Sequence, residues 1–169
     1  MTMCKNTTIL PFKKLWTIVP SEISEWLYKC EKTPQNPVWH KEGNVLIHTK
    51  IVYERARQSG NLDYALAALF HDLGKADVTH LNKRGTWGAY GHEFISARLV
   101  IKYQDWISRQ GGNVELIHDM VINHMKAKML SDMRPTKQEI FRNLPNYKQI
   151  MEFSQFDIMK NLTKEELSL

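Results

Sequence analysis

A chain of 169 residues is long enough to bury one hydrophobic core and too short to build two independent ones. Its composition, 43% hydrophobic and 24% charged, excludes a disordered chain, and the formal net charge of +5 is spread over small groups such as Lys13-Lys14, Lys83-Arg84 and Lys126 with Lys128, so no long basic block argues for nucleic acid. No apolar run nears the roughly 18 to 20 residues of a membrane helix, and the two cysteines, Cys4 and Cys30, make no disulfide framework; a cytoplasmic protein is expected, in which any metal is held by His and carboxylate.

Residues 1–20 read as an N-terminal extension. Ser21 opens a helix to about Cys30, and the prolines of Thr33-Pro-Gln-Asn-Pro37 forbid its continuation. Asn44 caps the next helix, which Gly60 closes. Asp63 begins the apolar run Tyr64-Ala-Leu-Ala-Ala-Leu-Phe70, whose all-round hydrophobicity predicts a helix at the centre of a bundle, ending at His71-Asp72-Leu73-Gly74. Asn82, Gly85, Gly88 and Gly91 predict a mobile loop over or beside a site across residues 76–91.

A long helix is then expected from about His92 to Arg109, stopped by Gly111-Gly112, and an amphipathic helix from about Val114 to Met129. Pro135 interrupts the chain. Thr136 and Glu139 have capping-box spacing and open a helix ended near Pro145; another runs from about Asn146 to Lys160. Thr163 and Glu166 repeat that spacing in a C-terminal tail, 161–169. No segment alternates with period two, so the fold class is all-α, one helical bundle over residues 21–160.

The helix faces carry the functional signal. His48 lies in line with Val45, Ile51 and Val52, Asp72 with Ala65, Ala68 and Leu69, His92 with Ile95, Ser96 and Leu99, and His124 with Ile117 and Val121. Titratable groups on inward faces cost several kcal/mol each unless they meet one another or a cation, and a shared metal satisfies them together. Imidazole with carboxylate suits divalent Mn, Fe, Zn, Co or Ni, and Mg where carboxylate and water dominate. The pair His118-Asp119 does not share this face with His124 and reads as surface, as does His80 in the loop; His40 and Glu42 are candidates to support a ligand from outside.

These residues resemble the HD-domain metal-dependent phosphohydrolases, whose pattern is a histidine, a His-Asp pair, further histidines and a closing aspartate: here His48, His71-Asp72, His92, His124 and Asp157. The string Ala68-Leu-Phe-His-Asp-Leu-Gly-Lys75 and the segment from Pro34 to Thr49 are similar to the HD domains attached to tRNA nucleotidyltransferases and to stand-alone relatives. The resemblance implies that His48, His71, Asp72 and Asp157 hold one metal ion and that Asp72 bridges to a second held by His92 and His124. Some members carry a second histidine where Met125 stands, which leaves a one-ion site open.

Asp72 and Lys75 are the catalytic candidates, Lys75 by placing an ammonium on phosphate or leaving group. Lys83, Arg84 and Trp87 are candidates to contact a nucleotide by charge and stacking. The implied reaction is hydrolysis of a phosphate ester: a nucleotide, cyclic nucleotide or RNA-end phosphate. Alternatives are an HD-type di-iron oxygenase and a non-catalytic nucleotide-binding module.

Overall fold

Residues 8–169 are described by a computed structural model; Cys4 lies outside the described residues, and Cys30 is a buried free thiol. The apolar run becomes α4 (Leu62–Phe70), in which Tyr64 to Phe70 are all buried. Burying Leu66, Leu69 and Phe70 contributes about 1.5–3 kcal/mol each. The helix starts at Leu62 because Asn61 caps it, accepting from the amides of Asp63 and Tyr64; Asp63 instead accepts from the Asn113 amide at 2.7 Å.

Around this axis pack α3 (Val45–Gln58), capped by Asn44, and α8 (Val114–Lys128), capped by Asn113. Two further helices close on α8: α6 (His92–Lys102) and α10 (Tyr147–Phe156), the latter also meeting α3. The remaining α-helices are α1 (Phe12–Leu15), α2 (Ser21–Glu31), α5 (Lys75–Val78), α7 (Gln104–Gln110) and α9 (Pro135–Arg142). The class is all-α. Ile9, Phe12, Leu15 and Val19 are buried, so the core draws on residues before Ser21. Among the described residues, no helix is long and apolar enough to cross a membrane.

Several expectations need correction. The helix expected from His92 to Arg109 breaks at Tyr103 (φ −104°, ψ 20°), where Lys102 reaches Glu22 at 2.7 Å and the Tyr103 hydroxyl donates to the same carboxylate. Pro135 does not interrupt but starts α9 at its first position, where the missing N–H has no intrahelical partner to lose; the Thr136–Glu139 box therefore falls inside the helix and does not cap it. The helix expected to reach Lys160 stops at Phe156, leaving Asp157 as its C-terminal cap. Residues 76–91 are not irregular throughout: β1 (His80–Leu81) pairs antiparallel with β2 (Trp87–Gly88). In the tail, Thr163 and Glu166 do exchange the two hydrogen bonds of a capping box.

Candidate metal centre

Four histidines converge with the same anchoring. The ring Nδ1 of His71, His92 and His124 lies 2.8, 2.7 and 2.7 Å from the carbonyl oxygens of Ala68, Ala89 and Val121. A carbonyl only accepts, so each Nδ1 carries the proton and each Nε2 is left as the coordinating nitrogen. His48 follows the same rule through a side chain: its Nδ1 donates to Glu42 Oε1 at 2.7 Å, and that oxygen also accepts from His40 Nδ1 at 2.8 Å.

The Nε2 atoms then point at one another in two pairs, His48 to His71 at 3.2 Å and His92 to His124 at 3.1 Å. Two nitrogen lone pairs at that separation repel unless something positive lies between or beside them. Asp72 joins the pairs. Its Oδ2 is 3.2 Å from His48 Nε2 and 3.4 Å from His71 Nε2, and its Oδ1 is 3.0 Å from His92 Nε2 and 3.5 Å from His124 Nε2. Asp157 completes the first pair, with Oδ1 2.9 Å from His48 Nε2 and 3.8 Å from His71 Nε2.

Local backbone explains the convergence. His71 caps the C-terminus of α4, so Asp72 falls in the turn beyond it rather than on the helix face. Gly74 lets that turn touch α6: a Cβ there would lie 2.3 Å from the His92 carbonyl oxygen, and the Gly74 amide donates to Ser96 Oγ. Gly91 precedes His92 at φ +80°, a left-handed conformation that favours glycine. Asp157 is held from α3 by Arg55, whose guanidinium donates to the carbonyls of Phe156 and Ile158 on either side and pairs with Glu166 in the tail.

The donor set fits a divalent cation. Both oxygens of Asp72 and of Asp157 are buried, and apart from one lysine ammonium each at Oδ2 they face only imidazole nitrogens that carry no proton, a costly arrangement that inner-sphere coordination relieves. Burial pushes both carboxyls up, but His71 and Lys75 around Asp72, and Lys128 and His48 around Asp157, overcome it and hold both well below the usual carboxylate range. Burial drives the His124 imidazole down to about 4, against the pull of Asp72. For His48 the balance reverses: burial lowers it, yet Asp157 and Glu42 together hold it above the ordinary histidine value. His48, His71 and Asp157 form one group able to hold an ion, and Asp72, His92 and His124 another.

Two lysines border the cluster. Lys75 is buried, with Nζ 2.7 Å from Asp72 Oδ2 and donating to Gln35 Oε1 at 2.9 Å. Lys128 Nζ lies 2.5 Å from Asp157 Oδ2. In the sequence Lys128 stands only as one of several scattered basic residues; its position four residues after His124, on the same helix face, is the signal for its place here. Gln35 carried no signal of its own.

Other expected contacts are not brought to the ligands. Lys83 and Arg84 are exposed in the tip of the β1–β2 hairpin, ordered by Asn82 Oδ1 accepting from the Arg84 and Thr86 amides, and Trp87 is 38% exposed beside them. His118 lies off the inward face of α8, paired with Asp119 at 3.7 Å, and His80 is exposed.

The model of the HD domain family matches residues 43–154, which contain His48, His71, Asp72, His92 and His124; Asp157 is added by geometry, three residues beyond the match. No curated protein matches the chain. With two-thirds of its length matched and the His-Asp pair at the centre of the cluster, the chain belongs to the HD-domain family of metal-dependent phosphohydrolases.

Proposed function

We propose that this protein hydrolyses a phosphate ester in a metal-dependent reaction, with a nucleotide, a cyclic nucleotide or an RNA-end phosphate as substrate. His48, His71, Asp72 and Asp157 hold one divalent ion, and Asp72, His92 and His124 hold a second. The observation that carries this reading is the Asp72 carboxylate, which turns one oxygen to each histidine pair. When bound, divalent ions supply Lewis acidity toward a phosphate and acidify water for attack on phosphorus.

The chain's own residues account for the rest. The Nδ1 anchors fix each ring so that no reorientation is needed as charge develops. Lys75, buried and aimed by Gln35, offers an ammonium to phosphate oxygens or to the leaving group. An ammonium beside the ligands suits an anionic phosphate substrate, which supports the hydrolase reading. Lys83, Arg84 and Trp87, exposed on the β1–β2 hairpin, stay candidates to contact the remainder of a nucleotide.

The test is metal analysis of the purified protein, then a phosphatase and phosphodiesterase screen with several divalent ions on nucleotides, cyclic nucleotides and RNA ends. Metal-stimulated turnover is expected, lost with bound metal in Asp72→Ala while helix content stays near native. Inactivity of the metal-loaded protein on every substrate overturns the proposal.

A further inference from the structure

We infer that Lys128 is a phosphate-binding residue of this site, held by Asp157 until a metal ion takes that carboxylate. The inference rests on the phosphohydrolase reading and adds a residue that the HD pattern does not contain.

The two lysines at the cluster are held differently. Lys75 has an anchor independent of the metal ligands, Gln35 Oε1 at 2.9 Å, so its position does not depend on Asp72 alone. Lys128 has Asp157 Oδ2 alone as its ion-pair partner among the described residues, at 2.5 Å. Its side chain remains 30% exposed while Asp157 is fully enclosed, so the ammonium reaches inward from the rim of the site. It is the last residue of α8, where the helix C-terminus favours a cation, and it lies one turn beyond His124.

An ammonium here opposes metal binding. It competes for the Asp157 carboxylate, and once an ion is coordinated the two positive charges repel at close range with little water between them. A ligand carboxylate that serves a divalent ion no longer neutralises the lysine, and the flexible stem lets the charge swing to the nearest anion. An incoming phosphate is that anion, because it carries negative oxygens to the same rim. Metal and phosphate binding are thereby coupled: the ion releases the lysine, and phosphate relieves the repulsion that remains.

Calorimetry with Mn²⁺ alone, and then with inorganic phosphate added to the Mn²⁺-loaded protein, tests this without turnover. In Lys128→Met, Mn²⁺ should bind as tightly as in wild type or a few-fold more tightly, while phosphate affinity falls roughly tenfold or more, the loss of one charge-assisted hydrogen bond. Lys128→Arg should retain most of the phosphate affinity. If Lys128→Met does not fold, Lys128→Gln gives the same readout, and failure of both to fold makes the lysine a structural partner of Asp157 and overturns the inference. Unchanged phosphate affinity in a protein whose wild type hydrolyses esters overturns the role of Lys128 alone. A metal-loaded wild type that neither binds phosphate nor turns over any ester removes both this inference and the proposed function.

Discussion

Glu42 Oε1 lies 2.7 Å from His48 Nδ1, and this contact decides which nitrogen of His48 faces the cluster. The other histidines use backbone carbonyls for the same purpose, so only here is a side chain interposed. Burial opposes ionisation of Glu42, but hydrogen bonds from His40 and His48 hold its carboxyl down at about 2. Glu42→Gln presents an amide whose NH₂ end can turn toward the ring, and the fixed tautomer is lost. Metal affinity should fall about 10- to 100-fold with helix content unchanged, as measured by competition with a chelating dye and circular dichroism. Unaltered affinity would mean that α3 alone orients His48.

Gly74 ties the two halves of the centre together. The predicted Cβ clash with the His92 carbonyl, at 2.3 Å, involves backbone that cannot rotate away, and Ile95 Cβ at 2.9 Å blocks the alternative. Gly74→Ala should push the N-terminus of α6 from the Asp72 turn and separate His92 from Asp72 Oδ1. The expected result is selective loss of the ion held by Asp72, His92 and His124, seen as reduced metal stoichiometry, with a destabilisation of about 1–3 kcal/mol from overpacking. Equal stoichiometry in the variant would show that α6 accommodates the methyl group by sliding.

Much of this candidate centre is legible in the sequence, and the reason is chemical. His48, His92 and His124 sit on apolar helix faces where an unpaired imidazole is expensive, so their joint occurrence with Asp72 picks them out, whereas His71 and Asp157 enter as ligands only through the family resemblance. Asp72 was found by its spacing from Ala65, Ala68 and Leu69, although it lies in the turn after α4 rather than on the helix itself. Lys128 and Arg55 were not found as parts of the site. Both are long cations on helices rich in charge, and only the fold decides that one ends at Asp157 while the other grips the carbonyls beside it. The break at Tyr103 is invisible for a similar reason: the apolar residues stay in phase through it, and the contact that accompanies it is with Glu22, distant in sequence.

Removing metal should give the protein a stability maximum near pH 6.5, the ordinary histidine value. His48 is raised, so its contribution is complete below that pH and is lost as pH climbs through its folded value. His124 is lowered to about 4, so the unfolded chain takes up a proton that the folded chain refuses, and stability declines from pH 6.5 down to about 4. Glu42, lowered from 4.5 to about 2, extends the loss across that lower interval. Thermal melts in chelator across pH should show both limbs. His124→Leu should lessen the decline between pH 6.5 and 4, leaving the part due to His40, which burial also lowers, and added metal should abolish the alkaline limb by replacing the His48 proton. A melt profile in which the His124 variant parallels wild type would contradict the assignment of the acid limb.

The reaction class separates a hydrolase from an oxygenase and from a binding module that shares the same centre. Hydrolysis of p-nitrophenyl phosphate or bis-p-nitrophenyl phosphate should require an added ion such as Mn²⁺, rise with pH as coordinated water ionises, and proceed equally with and without oxygen. Lys75 gives this test its resolution, because its ammonium is 2.7 Å from Asp72 yet is anchored independently by Gln35. In Lys75→Ala the transition state loses a positive charge while the ligand set stays complete, so kcat should fall about 10²-fold with metal content nearly unchanged. The same variant should bind Mn²⁺ no more weakly than wild type, since removing a cation beside Asp72 takes away a competitor. Turnover that needs both iron and O₂ would identify an oxygenase, and nucleotide binding without turnover in metal-loaded protein would identify a sensing module. A Lys75→Ala enzyme with full kcat would leave hydrolysis intact and take Lys75 out of the chemistry, leaving its ammonium the simpler task of neutralising Asp72.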